Sequence, residues 1–277
     1  MHFYCIYGII NKKRTEYSVG NGSFRSGRKD YRIIMKIIVC ENYNEMSREG
    51  ANIIADLLKS KPDCVLGLAT GSTPVGMYKD LIAMYEAGEI SFDRVTSYNL
   101  DEYYPIEPTH EQSYRYFMNT NLFDHVNINK DKTFVPNGLS KDPEKEGAAY
   151  DAAIEAAGGV DLQVLGIGQN GHIGFNEPAD HFPKETHCVD LQERTIEANK
   201  RFFASIDDVP RQAYTMGIGT IMNARKILII VSGEDKSEIV RDAFFGPITP
   251  QVPASILQLH PDVSLVADEA ALSKIPQ

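Results

Sequence analysis

The sequence has few cysteines and no long apolar run. Cys5, Cys40, Cys64 and Cys188 are scattered over 277 residues without a CxxC pair, which argues against a disulfide framework or a zinc site and favours reduced, intracellular thiols. No apolar run approaches the roughly 18 residues that a membrane-spanning helix needs. We therefore expect a soluble, cytoplasmic protein.

Positive charge is also scarce. Lys and Arg together number 28 against 38 Asp and Glu, a formal net charge of -10. Such a chain repels nucleic-acid phosphates and anionic membranes, so we expect neither as a partner. An anionic small-molecule substrate would have to meet a locally basic site, and a homo-oligomer is left open.

Several patterns with defined chemistry are missing. There is no GxxxxGK[ST] phosphate loop, no HExxH or HxxEH zinc motif and no GxSxG nucleophile. His172, Glu177, His181 and His187 are close in sequence but lack metal-ligand spacing. The glycines before His172 do not open a predicted helix, as a dinucleotide site requires. We expect no metal and no cofactor.

Residues 1–34 differ in composition from the rest. They carry seven Lys and Arg against Glu16 and Asp30, and the apolar stretch 2–10 precedes its basic residues, unlike a secretory signal. We expect either a disordered basic extension or a misassigned translation start, with Met35 the first residue. Residues 35–277 show no repeat or composition shift, which predicts a single domain.

From Met35 onward, short apolar runs alternate with amphipathic segments. This alternation is typical of a parallel sheet covered by helices, and it predicts a three-layer α/β/α domain with a mostly parallel sheet. The predicted buried strands are 36–40, 64–69, 95–99, 162–166, 213–217, 226–231 and 263–267. The predicted helices are 45–60, 75–87, 143–157, with Asp142 as its N-cap and Pro143 at its first position, and 235–245. Ligands of such sheets bind beyond the carboxyl ends of the strands.

The loop after strand 64–69 reads Thr70-Gly71-Ser72-Thr73-Pro74. Gly71 permits a tight turn, Thr73 can cap the following helix and Pro74 fits its first position. A helix N-terminus with nearby hydroxyls suits a phosphate, although an ordinary capped turn would have the same residues.

Carboxylates and an imidazole follow two further strands. Asp101 and Glu102 come directly after strand 95–99; neighbours point in different directions, so one could be a general base and the other structural, unless both lie in a solvated turn. In the stretch 165–178, glycines flank His172, with Asn170 and Glu177 close by. This pattern indicates an imidazole oriented by a carboxylate for proton transfer.

Cations for a phosphate are sought near the same strand ends. Arg194, Lys200 and Arg201 lie in the segment 193–203, and Lys236 follows strand 226–231. Arg201 and Lys236 are the preferred candidates, although each alone is compatible with an ordinary surface charge.

Four motifs, LGLATGSTP, NLDEYY, GIGQNGHIGFNEP and ANKRFF, together resemble the glucosamine-6-phosphate deaminase (isomerase) family, in order from about residue 35 to about residue 272. GHIGFNEP after NLDEY is specific for this family, whereas the TGSTP loop is shared with 6-phosphogluconolactonases. The resemblance implies a Rossmann-like sandwich. It also implies cofactor-independent conversion of glucosamine 6-phosphate and water to fructose 6-phosphate and ammonia, in aminosugar catabolism.

The resemblance assigns roles to the motif residues. Asp101 would move the C2 proton of the opened sugar to C1, and His172 would serve in ring opening. Glu177 and Asn170 would orient and tune His172; some members carry Asp in place of Asn170, so the pH profile is less certain. The segment 192–203 is similar to a mobile lid. The phosphate ligands would be Thr70, Gly71, Ser72, Thr73, Arg201 and Lys236.

Two other functions remain open at this point. A 6-phosphogluconolactonase would share the fold and the phosphate loop but would not need a carbon-acid base at Asp101. A sugar-phosphate sensor domain would make residues 1–34 a relic DNA-binding arm, but no helix-turn-helix pattern precedes Met35. Some family members are activated by N-acetylglucosamine 6-phosphate through basic residues after the NEP motif. The segment 180–190 lacks that character, so we expect no such activation.

Overall fold

The computed structural model describes residues 5–11, 14–21, 33–200 and 203–276, and the strands in these residues form two sheets. Several are short runs of Val, Ile and Leu, side chains that suit a pleated surface buried on both sides. The strands are β1 (Cys5–Asn11), β2 (Arg14–Asn21), β3 (Ile33–Cys40), β4 (Val65–Leu68), β5 (Thr96–Asn99), β6 (Asp101–Tyr104), β7 (Thr133–Phe134), β8 (Leu162–Leu165), β9 (His187–Asp190), β10 (Gln212–Thr215), β11 (Ile227–Val231) and β12 (Asp262–Asp268).

Helices alternate with the strands, and side-chain caps fix the start of several. The helices are α1 (Tyr43–Ser60), α2 (Val75–Glu86), α3 (Tyr114–Asn121), α4 (Pro143–Ala156), α5 (Glu193–Asn199), α6 (Ile218–Met222) and α7 (Ser237–Phe245). Asp142 caps α4 by accepting a hydrogen bond from the Lys145 amide at 3.1 Å, as predicted. Within the described residues, no helix combines the length and apolarity that crossing a membrane requires.

The larger sheet has the strand order β1-β2-β3-β12-β11-β8-β4-β5-β7 in the described part of the chain. Seven neighbouring strands in this order are parallel to one another. They are β3, β12, β11, β8, β4, β5 and β7. Ile230 of β11 lies against Gly50 of α1 on one face. On the other face, the Tyr98 hydroxyl of β5 donates to the Ala153 carbonyl of α4 at 2.9 Å. Helices on both faces of this parallel sheet confirm the predicted α/β/α sandwich.

The predicted strand 213–217 lies in the smaller sheet, which corrects its expected place among the parallel strands. As β10 it pairs antiparallel with β6 on one side and β9 on the other. Ala213 and Tyr214 are fully buried. The run therefore has the composition of a buried parallel strand, but it belongs to the antiparallel smaller sheet. The seventh parallel strand is β7, whose two residues are too few to show a periodic pattern.

A second group of buried side chains joins the smaller sheet to the loop after β8 and to α5. The Met216 amide, just after β10, also donates to the Leu100 carbonyl between β5 and β6 at 2.7 Å. The smaller sheet is thereby held at the carboxyl ends of the parallel strands. The buried members of this group are Tyr103, Ile106, Phe175, Leu191, Ile196, Val209 and Ala213.

Part of the predicted extension, residues 1–34, forms strands in the structure. β1 and β2 pair antiparallel, and β2 pairs antiparallel with β3 from Thr15 opposite Val39 to Asn21 opposite Ile33. The hairpin therefore lies at the β3 edge of the parallel strands. That the catalytic domain comprises residues 35–277, and that the extension is dispensable, remain predictions.

Replacing Gly147 by Ala is expected to destabilise the fold. A Cβ on this residue of α4 would lie 2.0 Å from the Thr186 carbonyl oxygen, and the Thr186 amide is itself bound to Asp151 at 2.8 Å. Although alanine favours helices, a backbone clash cannot be relieved by a rotamer change. We expect the free energy of unfolding in urea to fall by about 1–3 kcal/mol.

Gly50→Ala in α1 is the matched control. There the added Cβ would meet the flexible end of Met77, with Sδ at 3.0 Å. We therefore expect Gly50→Ala to lower the free energy of unfolding by less than Gly147→Ala does. A Gly147→Ala protein as stable as the unchanged protein would contradict the prediction.

Candidate active site

The loops that follow β5, β8 and β11 meet at one edge of the parallel sheet. Lys236, after β11, donates from Nζ to the Ile167 carbonyl after β8 at 3.0 Å. The same loop after β8 passes Asp101, because a Cβ on Gly174 would lie 3.7 Å from Asp101 Oδ2. The structure thus brings together Asp101, the loop that carries His172, and Lys236, which came from three separate motifs.

Asp101 is a buried carboxyl group with a high proton affinity. It begins β6 and is 7% exposed. Burial, with a further contribution from the charge of Glu102, raises the pKa of Asp101 to about 8, because an apolar environment disfavours the charged form. Gly174 lets the neighbouring loop approach: it has a φ of +58°, and a Cβ there would lie 2.7 Å from Thr215 Oγ1. These properties suit a general base that works near neutral pH.

Glu102, the next residue, is bound in a different way. Its carboxylate accepts hydrogen bonds from the backbone amides of Tyr103 at 2.9 Å, Tyr114 at 2.8 Å and Arg115 at 3.0 Å. Two of these amides belong to the first turn of α3. Glu102 therefore anchors α3 to β6, while Asp101 lies beside the His172 loop.

The loop after β8 is shaped around His172. The Gly168 amide donates to the His172 carbonyl at 2.9 Å, and the imidazole lies over Gly168 so closely that a Cβ there would fall 2.2 Å from the ring. Asn170 accepts from the His172 amide at 3.2 Å and donates from Nδ2 to Glu177 Oε2 at 3.3 Å. Asn170 thus links the His172 backbone to the buried Glu177 carboxylate, and the orientation of the imidazole by these two residues stays a prediction.

Thr195 is a site residue that sequence analysis missed. Its Oγ1, on α5, donates a hydrogen bond to Oε1 of Glu177. Both side chains are buried. On the same segment, the ring of Phe203 packs edge-on against Tyr103 with centroids 5.8 Å apart. The predicted lid segment therefore contacts both the Glu177 carboxylate and β6, whereas the sequence marked only the segment and gave no signal for Thr195.

The TGSTP loop makes the predicted tight turn but not the predicted cap. Gly71 has a φ of +95° and open space around it. Helix α2 begins at Val75 with Pro74 as its N-cap residue and no side-chain cap, so the expectation that Thr73 caps the helix and Pro74 is its first residue was wrong. The helix starts one residue later than expected. Its Gly76 amide, in the first turn, donates to the Tyr43 hydroxyl of α1 at 2.8 Å.

The other phosphate candidates differ in what the structure says of them. Thr70 is partly exposed and Ser72 exposed, next to the start of α2. The ammonium group of Lys236 is directed to the His172 loop by its bond to the Ile167 carbonyl. Arg201 lies outside the described residues. Among the residues that are described, no three His, Cys, Asp or Glu side chains are grouped to hold a metal ion.

The fold and the comparisons with known proteins identify a class of sugar-phosphate enzymes. The chain belongs to the family of glucosamine-6-phosphate isomerases and 6-phosphogluconolactonases, whose model matches residues 41–265. It is 59% identical over 237 residues to the glucosamine-6-phosphate deaminase of Clostridium perfringens, covering 86% of this chain and 98% of the relative. The family predicted from the motifs is confirmed.

Solved structures separate the two branches of the family. The structure of a monomeric glucosamine-6-phosphate deaminase is 45% identical, with a TM-score of 0.83 over 86% of this chain and 98% of the other. A 6-phosphogluconolactonase from Thermotoga maritima is only 19% identical, with a TM-score of 0.66 over 85% of this chain and 100% of the other. The lactonase therefore shares the fold, whereas the deaminases also share the sequence.

Replacing Asp101 by Asn is expected to stabilise the fold at alkaline pH. The folded protein holds the Asp101 proton up to about pH 8, whereas an unfolded chain releases it at about pH 4. Between these values the folded state binds more protons, so the free energy of unfolding falls as the pH rises. The asparagine cannot ionise, and we expect Asp101→Asn to be more stable than the unchanged protein by about 1–3 kcal/mol at about pH 8.

Urea unfolding at a series of pH values measures this difference. Asp56→Asn, at an exposed position of α1, is the control and should leave the pH dependence unchanged. Parallel stability curves for Asp101→Asn and the unchanged protein would show that Asp101 titrates in its ordinary range.

Proposed function

We propose that this chain is a glucosamine-6-phosphate deaminase, which converts glucosamine 6-phosphate and water to fructose 6-phosphate and ammonia. The observation that carries the proposal is the 59% identity to a deaminase along nearly that relative's whole length. The buried Asp101 supports it, since removing a proton from carbon needs a base of high proton affinity. The proposed role is aminosugar breakdown in the cytoplasm.

The proposed reaction uses the site in three steps. His172 transfers a proton as the sugar ring opens, which exposes an aldehyde at C1. Asp101 removes the proton from C2 and returns it to C1, while the C1 oxygen gains a proton and the nitrogen loses one, so that the C1 aldehyde becomes an alcohol and the carbon bearing nitrogen an imine. Water then hydrolyses the imine to the ketone and releases ammonia. Each step is a proton transfer or a hydrolysis, so the residues of the site supply the chemistry that the reaction needs.

We assign the substrate phosphate to Thr70, Gly71, Ser72, Thr73, Arg201 and Lys236. Two observations support the assignment: the open surroundings of Gly71 at the start of α2, and the direction of the Lys236 ammonium. Arg201 is included on the resemblance of its motif. Held there, the phosphate would place the sugar across the edge of the sheet toward His172 and Asp101.

We further propose that the segment 192–203 closes over the substrate and excludes water during proton transfer. Its contacts with Glu177 and Tyr103 support this role. No nucleic acid or membrane partner is proposed. The solved deaminase relative is monomeric, and a homo-oligomer of this chain stays an open possibility.

The lactonase alternative is the second candidate, because the family model covers both activities. Ester hydrolysis needs no base at Asp101, and the buried, high-affinity carboxyl favours the deaminase. The sensor alternative depends on residues 1–34. Removing them should leave the deaminase active and folded, whereas a DNA-binding role would require them.

Purified protein incubated with glucosamine 6-phosphate is expected to release ammonia and fructose 6-phosphate in equal amounts. EDTA should not change the rate, and Asp101→Asn should lower it by about 10²–10⁴-fold, because the C2 proton then has no base. N-acetylglucosamine 6-phosphate at low substrate concentration should leave the rate unchanged. No product from glucosamine 6-phosphate, with hydrolysis of 6-phosphogluconolactone, would favour the lactonase.

Removing the Thr195 hydroxyl is expected to lower the activity without changing the packing. Thr195→Val keeps the side-chain shape but leaves Oε1 of the buried Glu177 without this donor. We expect kcat/KM to fall about 10-fold, which corresponds to roughly 1.4 kcal/mol. Thr195→Ser keeps the hydroxyl and is the control. A fully active Thr195→Val enzyme, or an equal loss in both variants, would contradict a role for this bond.

A further inference from the structure

Glu102 is a buried carboxylate directly beside the proposed base. It is 2% exposed, and Asp101 is 7% exposed. In β6 successive side chains point to opposite faces, and β10 pairs with both positions, with Thr215 opposite Asp101 and Tyr214 opposite Glu102. The two carboxyl groups therefore belong to adjacent residues on opposite faces of β6, and both are buried.

The three backbone amides that bind Glu102 fix its position and favour its charged form. Hydrogen bonds donated to a carboxylate stabilise the ionised state, and the start of α3 adds the positive end of a helix dipole. Burial acts in the opposite direction and raises the pKa of Glu102 to about 7, against the three amides and the guanidinium of Arg115. The three amides therefore favour the ionised form at Glu102, whereas at Asp101 burial and the charge of Glu102 both favour the protonated form.

Glu102 shares the start of α3 with a serine cap. Ser113 is the N-cap residue of α3, and its Oγ accepts from the Tyr116 amide at 3.0 Å. Glu102 accepts from the amides of Tyr114 and Arg115, which the Ser113 side chain does not bind. The start of α3 therefore holds the Glu102 carboxylate in one position, next to Asp101 in the chain.

The phenols around the pair add no charge. Burial raises their pKa, so they stay neutral when the carboxyl groups titrate. The Arg115 guanidinium donates to Thr133 at 2.6 and 2.7 Å, and its positive charge favours the ionised form of Glu102. The ionisable groups around the pair are Arg115 and Tyr114 on α3, Tyr103 on β6, Tyr150 on α4, Tyr214 on β10, and His172 and Glu177 on the loop after β8.

We propose that Glu102 is a positioning residue whose fixed negative charge strengthens Asp101 as the base for the C2 proton. The proposal rests on the proposed deaminase reaction. An anion held beside a second carboxylate makes that carboxylate bind a proton more tightly. A stronger base removes the carbon-bound proton faster, at the cost of needing a higher pH to be ionised.

The test is the pH dependence of kcat/KM in Glu102→Gln, which keeps the shape of the side chain and removes its charge. We expect the acid limb to move down by about 1–2 pH units and the rate at high pH to fall. Ser113→Ala is the control: it weakens the start of α3 without changing charge, and its acid limb should stay in place. A lower rate in Glu102→Gln with an unmoved acid limb would overturn the proposal.

A second measurement does not depend on activity. Carboxyl ¹³C titration of the unchanged protein, with Asp101→Asn to assign the Asp101 signal and Glu102→Asp the Glu102 signal, follows both groups directly. We expect Glu102 to ionise at lower pH than Asp101. A Glu102 that is still protonated where Asp101 ionises would overturn the proposal. If the protein failed to deaminate glucosamine 6-phosphate yet showed this order, the proposed function alone would fail.

Discussion

A carboxylate that leaves water must receive hydrogen-bond donors or give up its charge, and this constraint acts at both ends of the parallel sheet. At the amino ends, Asp161 accepts from Lys61 Nζ at 2.6 Å and from a backbone amide of β4 at 2.8 Å. At the carboxyl ends, Asp268 accepts from backbone amides of two turns. At Glu102 three amides partly offset burial, whereas at Asp101 burial and the charge of Glu102 both raise the proton affinity.

The smaller sheet places two buried carboxyl groups, those of Asp101 and Glu102, in different surroundings. β6 continues the chain from β5 after one residue, Leu100, so a strand of the parallel sheet leads directly into the strand that carries both carboxyl groups. Because neighbours on a strand face opposite sides, one carboxylate holds α3 and the other meets the loop after β8. Two residues of the same charge type thereby acquire different tasks from their position alone.

The sequence predicted what depends on composition along a single segment. Six strands of the parallel sheet were expected because buried strands of this kind are continuous apolar runs, and Asp142 was expected as a cap because capping is local. The partner sheet of β10 was not predictable, since its Ala213 and Tyr214 are as apolar as any core strand. The same distinction between local features and tertiary contacts applies to the candidate site.

The motifs marked Asp101 and His172, but contacts made across the fold carried no local signal. Thr195 reaches Glu177 from 18 residues away, and Tyr43 reaches Gly76 from 33 residues away. From the sequence alone, a hydroxyl on a helix face cannot be told from an ordinary surface group, because only the fold shows which strand or loop it contacts. Pairings of this kind are fixed by tertiary packing, which a single sequence does not display.

The hairpin of β1 and β2 changes which strand forms the edge of the larger sheet. The parallel strands of the larger sheet end at β3, whose outer edge would present unpaired amides and carbonyls if β2 did not pair with it. Here β2 occupies those groups and β1 becomes the terminal strand. At this border, strand addition by another chain would fall on β1, separated by β2, β3, β12 and β11 from the strands whose ends lead to the proposed catalytic groups.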